Sequence, residues 1–469
     1  MKKEVKIQNS AVSDIKRIKI DDFLNTDVKD FAHYVVETRA CPKMSDGLRT
    51  GARKVLYAAM TGELKRKKNI KVNALVGDTF KLEYHHGDMS LYNTIILLGS
   101  DYIDRYKPLQ IQGQVGFIRQ TKIDVAPRYL SVGRHKNLDL YSTDSELWNI
   151  QEDEGIKIEP ENFYPIIPTT LMYRTNSPGF GFSFRSFSYS LDSIIMNCLH
   201  SIFNGTCTDR EFQLIPDVVG YDNNNFIYNY NKDQWYSLGD FNCDFDNDRL
   251  EITNLPYNIQ YENYEEHLNN LKENYKIVDF SNLSQCGDVH YIIKFSHGDL
   301  KMYMRDKWKL FQMFHLYKKV PKDILNVINE YNNIVHYDDA YHFIDAFVKY
   351  RLKIYNKRKQ NTINVLNQKI SEMEIKIKFI KLILDGDIVI NNRKVSDIKQ
   401  DMDKHKIPYE LLRLPISHLT NDEIIKLENE ITETKEYLEY IKQTSIEDMY
   451  VSELIKIKED YTDNFVNIN

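Results

Sequence analysis

An arginine–tyrosine pair is the first feature of this sequence that could carry chemistry. Arg128 and Tyr129 follow Pro127 in APRY, near the end of the stretch LQIQGQVGFIRQTKIDVAPRYL. An ordinary tyrosine hydroxyl has a pKa near 10, so a nucleophilic role needs a nearby cation or base. Arg128 stays protonated and can hold both a phenolate and a phosphate oxygen. The pair is therefore suited to attack on a phosphodiester, because a new phosphotyrosine ester would keep the energy of the broken bond.

Two adjacent histidines form a second candidate group. His85 and His86 lie in YHHGDMSLYNTII, directly before a predicted helix start at Asp88. An imidazole can accept or relay a proton near neutral pH. A buried, hydrogen-bonded histidine pair would have the same spacing, and the chain has 32 tyrosines and a second Arg-Tyr pair at 105–106. The pattern alone therefore leaves both interpretations open.

Positive charge is concentrated in one part of the chain. The net charge is −6, yet residues 39–71 hold ten basic side chains against two acidic ones. Phosphate contacts depend on local charge, not on the average of the chain. Arg49, Arg53 and Lys54 share a predicted helix with Ser45 as its N-cap candidate, which favours a DNA-facing surface. A solvated lysine-rich loop is the alternative for KRKK at 65–68.

Composition limits the class of protein. A length of 469 residues indicates about two to four domains, and 42% hydrophobic with 28% charged residues is ordinary for a soluble protein. We expect no membrane span and no signal peptide, since no apolar run is long enough. Five cysteines without a C-x-x-C pair favour a reducing compartment and predict neither disulfides nor a zinc site.

The chain divides into four predicted segments. A short N-terminal arm (1–20) precedes a mainly helical unit (21–135), which is followed by an α/β segment (136–335) and a terminal arm (336–469). The α/β segment has strand-like stretches at NFIYNY, RLEITNLPY and VHYIIKF.

The terminal segment predicts two long helices that run antiparallel. Apolar residues recur at spacings of three and four from Ile344 to Leu384, with polar seam positions such as Arg351 and Lys359, until DGDI ends the pattern. A small globular piece (about 387–419) follows, and Thr420 with Glu423 forms a capping box before the seam resumes. The prediction is a coiled-coil arm, for which a plain spacer or dimerisation rod is the alternative.

Taken together, these stretches resemble the breakage-reunion region of type IIA DNA topoisomerases. YHHGDMSLYNTII is similar to the family's histidine motif, APRY to its active-site Arg-Tyr, and RACPKMSDGL to its R-A-x-P-x-x-x-D-G-L segment. FYPIIPTTL with NSPGFGF resembles the family's proline-rich segment and DNA-bending wedge. LRLPISHLT resembles a signature of the family's C-terminal gate. The loop GQVGFI departs from the family pattern. The matches are collinear over nearly the whole chain.

The resemblance implies catalytic roles for individual residues. Tyr129 would form a covalent 5′-phosphotyrosine bond, and Arg128 would stabilise the transition state. Arg39, at the R-A-x-P position, would contact the scissile phosphate with assistance from His86 and His85.

The resemblance also implies DNA contacts. Arg49, Arg53 and Lys54 would grip the DNA backbone. Phe180 would stand at the wedge position and unstack a base step. Packing of Phe180 in a core with other phenylalanines at 182, 184 and 187 is the alternative.

The implied fold is α+β and multidomain. It would comprise a helical winged-helix-type DNA-cleavage domain (21–135), an α/β tower (136–335) and a long antiparallel coiled-coil arm with a small helical C-gate (336–469).

The resemblance further implies one component of a larger enzyme. No E-G-D-S-A segment, with which a metal-binding TOPRIM domain would pair its D-x-D motif, and no ATPase fold is found, so Mg²⁺ and ATP would belong to a large partner subunit. The chain is similar to the medium subunit of tailed-phage enzymes. We expect a cytoplasmic homodimer that relaxes or decatenates double-stranded DNA.

Two other functions remain compatible with the sequence. A DNA-bridging protein derived from a topoisomerase would bind without cutting, as the altered GQVGFI loop suggests. A tyrosine recombinase would need further Arg and His partners around its tyrosine and would not predict the returning arm.

Overall fold

A computed structural model describes residues 19–120 and 125–466 of the chain. Most of the predicted N-terminal arm (1–20) lies outside the described residues. The described residues form two compact units, one from 19–120, 125–143, 149–197 and 207–344, the other from 144–148, 198–206 and 345–466. Within these residues, no helix is both long and apolar enough to cross a membrane.

Helices and short antiparallel strands alternate in the first unit, and long helices dominate the second. The helices are α1 (Ile20–Phe23), α2 (Lys29–Val35), α3 (Thr50–Thr61), α4 (Val72–Phe80), α5 (Asp88–Gly99), α6 (Asp139–Ser142), α7 (Leu191–Asn204), α8 (Tyr261–Glu273), α9 (Asp299–Met304), α10 (Lys307–Met313), α11 (Ala340–Leu384), α12 (Val395–His405), α13 (Asn421–Gln443) and α14 (Ile446–Val466). The strands are β1 (Asn69–Lys71), β2 (Leu109–Gln112), β3 (Ser131–Arg134), β4 (Ile150–Asp153), β5 (Ile156–Pro160), β6 (Thr175–Pro178), β7 (Ser183–Ser186), β8 (Phe226–Asn229), β9 (Gln234–Leu238), β10 (Phe241–Asp244), β11 (Arg249–Ile252), β12 (Asp279–Asn282), β13 (Tyr291–Lys294), β14 (Tyr317–Lys319), β15 (Leu325–Ile328) and β16 (Ile334–Tyr337).

Three helices and a small sheet pack against the segments that carry the predicted catalytic residues. Helix α3 contacts α4 and α5, and α5 also contacts β2. The sheet has the order β1-β3-β2 with antiparallel pairs, and Val132 at its centre pairs with Ile70 on one side and Ile111 on the other. These three side chains are buried, so the sheet is held to the helices by apolar packing.

The starts of two helices, α5 and α3, were predicted from the sequence. Helix α5 begins at Asp88 as predicted, where a carboxylate suits the helix dipole. Helix α3 begins at Thr50, so the prediction of Ser45 as its N-cap is wrong. Ser45 is buried and its hydroxyl instead donates to Asn162 Oδ1 at 2.8 Å.

The strand-rich part of the first unit contains a four-stranded sheet of order β10-β11-β13-β12. Helices α8 and α10 contribute Leu268 and Leu310 to its apolar core, where they join Leu250 and Ile293 from the strands. The predicted strands at NFIYNY, RLEITNLPY and VHYIIKF are confirmed as β8, β11 and β13.

The second unit is built on an antiparallel pair of long helices. Helix α11 ends at Leu384, directly before DGDI, and α13 begins after Thr420, whose side chain accepts a hydrogen bond from Glu423 N–H as the capping box predicts. Lys369 pairs with Glu430, and the later Lys376 with the earlier Glu423, both at 2.8 Å, which fixes the opposite directions. The apolar residues predicted to form the seam of the returning helix are all buried: Ile424, Leu427, Ile431, Thr434, Leu438 and Ile441.

The predicted seam on α11 differs from a simple apolar stripe in two places, its C-terminal end and its first half. Leu384 is exposed, so the apolar contact ends before it. Arg351 is fully buried and its Nη2 lies 2.6 Å from Asp144 Oδ2, while Arg358 binds Asp144 and Glu453. A buried arginine needs such carboxylates, and these charges account for the polar first half of the seam.

Candidate active site

Tyr129 is presented to solvent by a single helical turn, Pro127–Tyr129, directly before β3. Proline suits the first position of such a turn, because its fixed φ is close to the helical value. Leu130 N–H closes the turn on Pro127 O at 3.1 Å. The Leu130 side chain is buried, whereas Tyr129 is 67% exposed. Within the described residues the Tyr129 hydroxyl forms no hydrogen bond, so it is free to meet a ligand.

Arg128 lies beside the tyrosine ring. Its guanidinium carbon is 5.1 Å from the centre of the Tyr129 ring, within the range of a cation–π contact. The side chain is exposed, and its fork of donors can bind two oxygens of a phosphate at once. A phosphate in front of Tyr129 would therefore find an adjacent positive charge.

The turn that holds Tyr129 is anchored on both sides. Leu130 O accepts a hydrogen bond from Val72 N–H at 3.2 Å, and the Tyr92 hydroxyl donates to Val125 O at 2.8 Å. Gly113 has a φ of +123°, and a Cβ atom there would lie 2.5 Å from Leu130 Cδ2. The glycine therefore allows β2 and the tyrosine turn to approach each other.

Arg39, His86 and Tyr34 form a second cluster. Arg39 Nη2 lies 3.2 Å from His86 Nδ1, and Tyr34 Oη lies 3.1 Å from His86 Nε2. The Tyr84 ring meets the imidazole edge-on, with ring centres 5.3 Å apart. Burial, and then the charges of Arg39 and His85, lower the pKa of His86. The imidazole is therefore neutral at physiological pH.

The structure brings Arg49 to this cluster and places His85 at its edge. Arg49 Nη1 donates to Arg39 O at 3.3 Å, and burial lowers the pKa of the Arg49 guanidinium. His85 is exposed, and its Nε2 lies 3.5 Å from Asp153 Oδ2, which is too long for a strong hydrogen bond. Arg39, Arg49 and His86 are thus held together, whereas His85 is held only loosely.

The two clusters are not joined within one chain. Among the described residues, no hydrogen bond, ion pair or ring contact links Arg128 or Tyr129 to Arg39 or His86. Each cluster carries positive charge and has accessible side chains. The attack on a phosphate predicted from the sequence therefore requires a contact that brings the Tyr129 cluster and the Arg39 cluster together.

Arg53 and Lys54 do not lie on the surface that was predicted to grip the DNA backbone. Arg53 is buried and donates from Nε and Nη2 to both Asp46 carboxylate oxygens, at 2.8 and 2.9 Å. Lys54 is also buried, and its Nζ donates to Glu159 Oε2 at 2.8 Å. A buried cation needs a partner of opposite charge, and contact with DNA would break both pairs. These two residues hold the fold together and do not form a DNA-facing surface.

Phe180 lies at the tip of the hairpin formed by β6 and β7. The last strand pair is Pro178 with Ser183, and the four residues between them form the turn. Phe180 is 58% exposed, whereas the phenylalanines at 184 and 187 are buried. The alternative of core packing is therefore wrong for Phe180, which projects an apolar ring into solvent.

Sequence reasoning missed Arg119, which anchors the unusual GQVGFI loop. Its Nη2 donates to Asn254 Oδ1 at 2.8 Å and to Leu255 O at 2.7 Å, and its guanidinium lies 4.9 Å from the centre of the Tyr221 ring. These partners are more than 100 residues away, so the local sequence contains no signal for them. Arg119 therefore ties the end of this loop to the strand-rich part of the first unit.

Comparisons with known proteins show the family to which this chain is similar. A family model for the A subunit of DNA gyrase/topoisomerase IV matches residues 39–459. The DNA topoisomerase medium subunit of Enterobacteria phage T4 is 25% identical in an alignment 453 residues long that covers 94% of this chain and 98% of that protein. The mitochondrial DNA topoisomerase 2 of Dictyostelium discoideum is 27% identical over 97% of this chain.

The chain spans only part of some relatives. It covers 36% of the Dictyostelium discoideum protein and 34% of a Plasmodium falciparum DNA topoisomerase 2 that is 26% identical. The crystal structure of the DNA-binding, cleavage and re-ligation domain of Plasmodium falciparum topoisomerase II has a TM-score of 0.79 and 24% identity, with 95% of this chain and 66% of that chain covered. This likeness shows a shared fold.

Proposed function

This chain belongs to the family formed by the A subunits of DNA gyrase and topoisomerase IV, and on that premise we propose that it is the DNA-cleaving component of an ATP-dependent type IIA DNA topoisomerase. The proposed activity is a transient double-strand break, passage of a second duplex and religation. One observation carries the proposal: the Tyr129 phenol is exposed, has no hydrogen-bond partner among the described residues, and lies beside the Arg128 guanidinium. A reversible nucleophile that faces a phosphate needs this setting.

In the proposed reaction, Tyr129 Oη attacks a DNA phosphorus atom. A bond forms between that oxygen and phosphorus while the bond from phosphorus to the 3′ oxygen breaks. The phenolic proton passes to a base or to water, and the 3′ oxygen takes up one proton from water and leaves as a hydroxyl. Arg128 would stabilise the charge that develops on the phosphate oxygens. Attack by the 3′ hydroxyl reverses each step, so religation needs no external energy.

We assign Arg39 and His86 to the same phosphate, from a second copy of the chain. Within one chain the two clusters are not in contact among the described residues, although each suits a phosphate. A homodimer that pairs the Tyr129 turn of one copy with the Arg39 cluster of the other would complete two sites. Two such sites would cut the two strands, and His85 would assist from the edge.

The DNA contacts of the proposal come from exposed groups. Arg49 is partly exposed beside Arg39 and would hold the backbone. Phe180, at the hairpin tip, would insert between base pairs and bend the duplex.

Each part of the fold has a place in this proposal. Helices α3–α5 with the β1-β3-β2 sheet would form the winged-helix-type cleavage domain. The strand-rich part of the first unit would form the tower. The antiparallel pair α11 and α13 would be the coiled-coil arm, with α12 in the small C-gate that lets the transported duplex leave. The protein would act on DNA in the cytoplasm.

The residues around Tyr129 and Arg39 do not fit a resident magnesium site. Mg²⁺ prefers carboxylate and carbonyl oxygens, whereas the side chains in contact within these two clusters are cationic, aromatic or imidazole. We therefore propose that Mg²⁺ is held, and ATP hydrolysed, by a large partner subunit with TOPRIM and ATPase domains. No step of the chemistry above is assigned to the metal.

Plasmid cleavage tests the proposal. The chain is mixed with the candidate large subunit, Mg²⁺, ATP and supercoiled plasmid, and the reaction is stopped with detergent and protease. Wild-type protein is expected to give linear DNA, and Tyr129→Phe to give none.

Tyr275→Phe is the matched control, because Tyr275 is the same residue type and is almost fully exposed. It should cut like the wild type. Undiminished cutting by Tyr129→Phe would refute the assignment of the nucleophile. DNA binding without any cut by the wild type would favour the non-cleaving, architectural alternative.

A further inference from the structure

Tyr34 contacts His86 but has no part in the reaction described above. It lies on α2, five residues before Arg39, and its hydroxyl oxygen is 3.1 Å from His86 Nε2. The Tyr34 side chain is 40% exposed, so burial of its apolar ring gives only part of its contribution to stability. The contact with the imidazole is its specific interaction.

The chemistry of Arg39 determines which nitrogen of His86 carries the proton. A guanidinium has donors only, so His86 Nδ1, at 3.2 Å from Arg39 Nη2, must be an unprotonated acceptor. A neutral imidazole then has its proton on Nε2, which can donate to Tyr34 Oη. The opposite arrangement would place an Nδ1–H against the N–H groups of Arg39.

We propose that Tyr34 is a positioning residue for DNA cleavage. By accepting the hydrogen bond from Nε2–H, it fixes the ring orientation and the tautomer of His86, so that Nδ1 holds the Arg39 guanidinium in place. The role at the phosphate rests on the proposed function, whereas the hydrogen-bond arrangement is a property of the free protein.

The groups that face His86 favour the same neutral tautomer. Arg39 approaches from the turn after α2, Tyr84 packs edge-on, and His85 is the preceding residue in the chain. Within the described part of the chain, no carboxylate forms an ion pair with His86. Burial, then the charge of Arg39 and then the neighbouring His85 lower the pKa of His86, in agreement with a neutral ring.

Nuclear magnetic resonance of the full-length chain with ¹⁵N-labelled histidine tests the arrangement directly. At pH 7.5 the wild type should show His86 with a protonated Nε2, an unprotonated Nδ1 and a slowly exchanging Nε2 proton. His86→Gln identifies the signals. Tyr34→Phe should lose the slow exchange, because water replaces the hydroxyl acceptor. Tyr84→Phe should keep it, because the Tyr84 hydroxyl donates to Ser90 and not to His86.

Cleavage of supercoiled plasmid by the complex with the large subunit tests the consequence. Tyr34→Phe should cut about 2- to 13-fold more slowly, the size expected for one neutral hydrogen bond, with unchanged DNA affinity. In an Arg39→Ala background, Tyr34→Phe should have no further effect, since the residue acts through Arg39.

Three outcomes would overturn the proposal. They are a wild-type His86 protonated on Nδ1, a slow Nε2 proton that survives in Tyr34→Phe, and an undiminished effect of Tyr34→Phe when Arg39 is absent. A wild type that never cuts DNA would instead overturn the proposed function and the link to cleavage, while the resonance measurement would still decide the hydrogen-bond arrangement.

Discussion

Replacement of Lys54 by methionine is expected to destabilise the first unit by about 3–5 kcal/mol. Lys54 is 5% exposed and Glu159 is 1% exposed, and the ammonium is 2.8 Å from the Glu159 carboxylate and 2.5 Å from Leu82 O. The variant removes the ammonium that pairs with Glu159 and leaves the Glu159 carboxylate buried. Removal of one partner of a buried pair costs this much because the remaining charge stays desolvated.

Hydrogen–deuterium exchange of peptides from α3 and β5 measures this cost locally. A loss of about 3 kcal/mol corresponds to exchange on the order of 100-fold faster. Lys54→Met with Glu159→Leu removes both charges and should restore most of the protection. Lys65→Met, at an exposed lysine, is the matched control and should change stability by no more than about 0.5 kcal/mol. Equal exchange in Lys54→Met and Lys65→Met would refute the structural role of Lys54.

Three further predictions concern the proposed DNA site. The pKa of His86 in the folded protein is lowered from its usual 6.5, so the unfolded chain takes up a proton first as the pH falls. The stability linked to His86 is therefore complete above about pH 6.5 and is lost below it. His86→Gln should reduce this loss in unfolding experiments from about pH 8 to about pH 5.5. Arg49→Met should weaken DNA binding and lower the slope of log affinity against log salt by about 1 in anisotropy titrations, whereas an unchanged slope would exclude a phosphate contact. Phe180→Ala should reduce the bend of an end-labelled duplex, measured by energy transfer, and an undiminished bend would exclude the wedge.

The terminal arm could be predicted from the sequence because its signals are local. The spacing of apolar residues identified the buried positions of α13, and Thr420 with Glu423 identified its start. Leu384 was predicted to lie in the seam but is exposed, because a periodic pattern does not show where the contact with the partner helix ends. Arg128 and Tyr129 were identified from the sequence, whereas the exposed helical turn that presents Tyr129 was not predicted.

Residues whose partners are distant in the chain could not be predicted. Lys54 looked like part of a basic surface, but its carboxylate is 105 residues away. Arg53 pairs with Asp46, which is only seven residues away, yet the helical spacing did not show that this pair is buried. Arg119 is held by groups more than 130 residues away and by Tyr221. Burial of a charge depends on tertiary pairing, which helical spacing does not reveal.

The most direct test of the central claim is the covalent bond between the chain and DNA. Cleavage complexes formed with Mg²⁺ and the large subunit are trapped with detergent, digested with protease and nuclease, and analysed by mass spectrometry. We predict a nucleotide joined through its 5′ phosphate to Tyr129 in the peptide that contains APRY. A nucleotide found on a different residue, or cut DNA whose 5′ ends carry no peptide, would contradict the account.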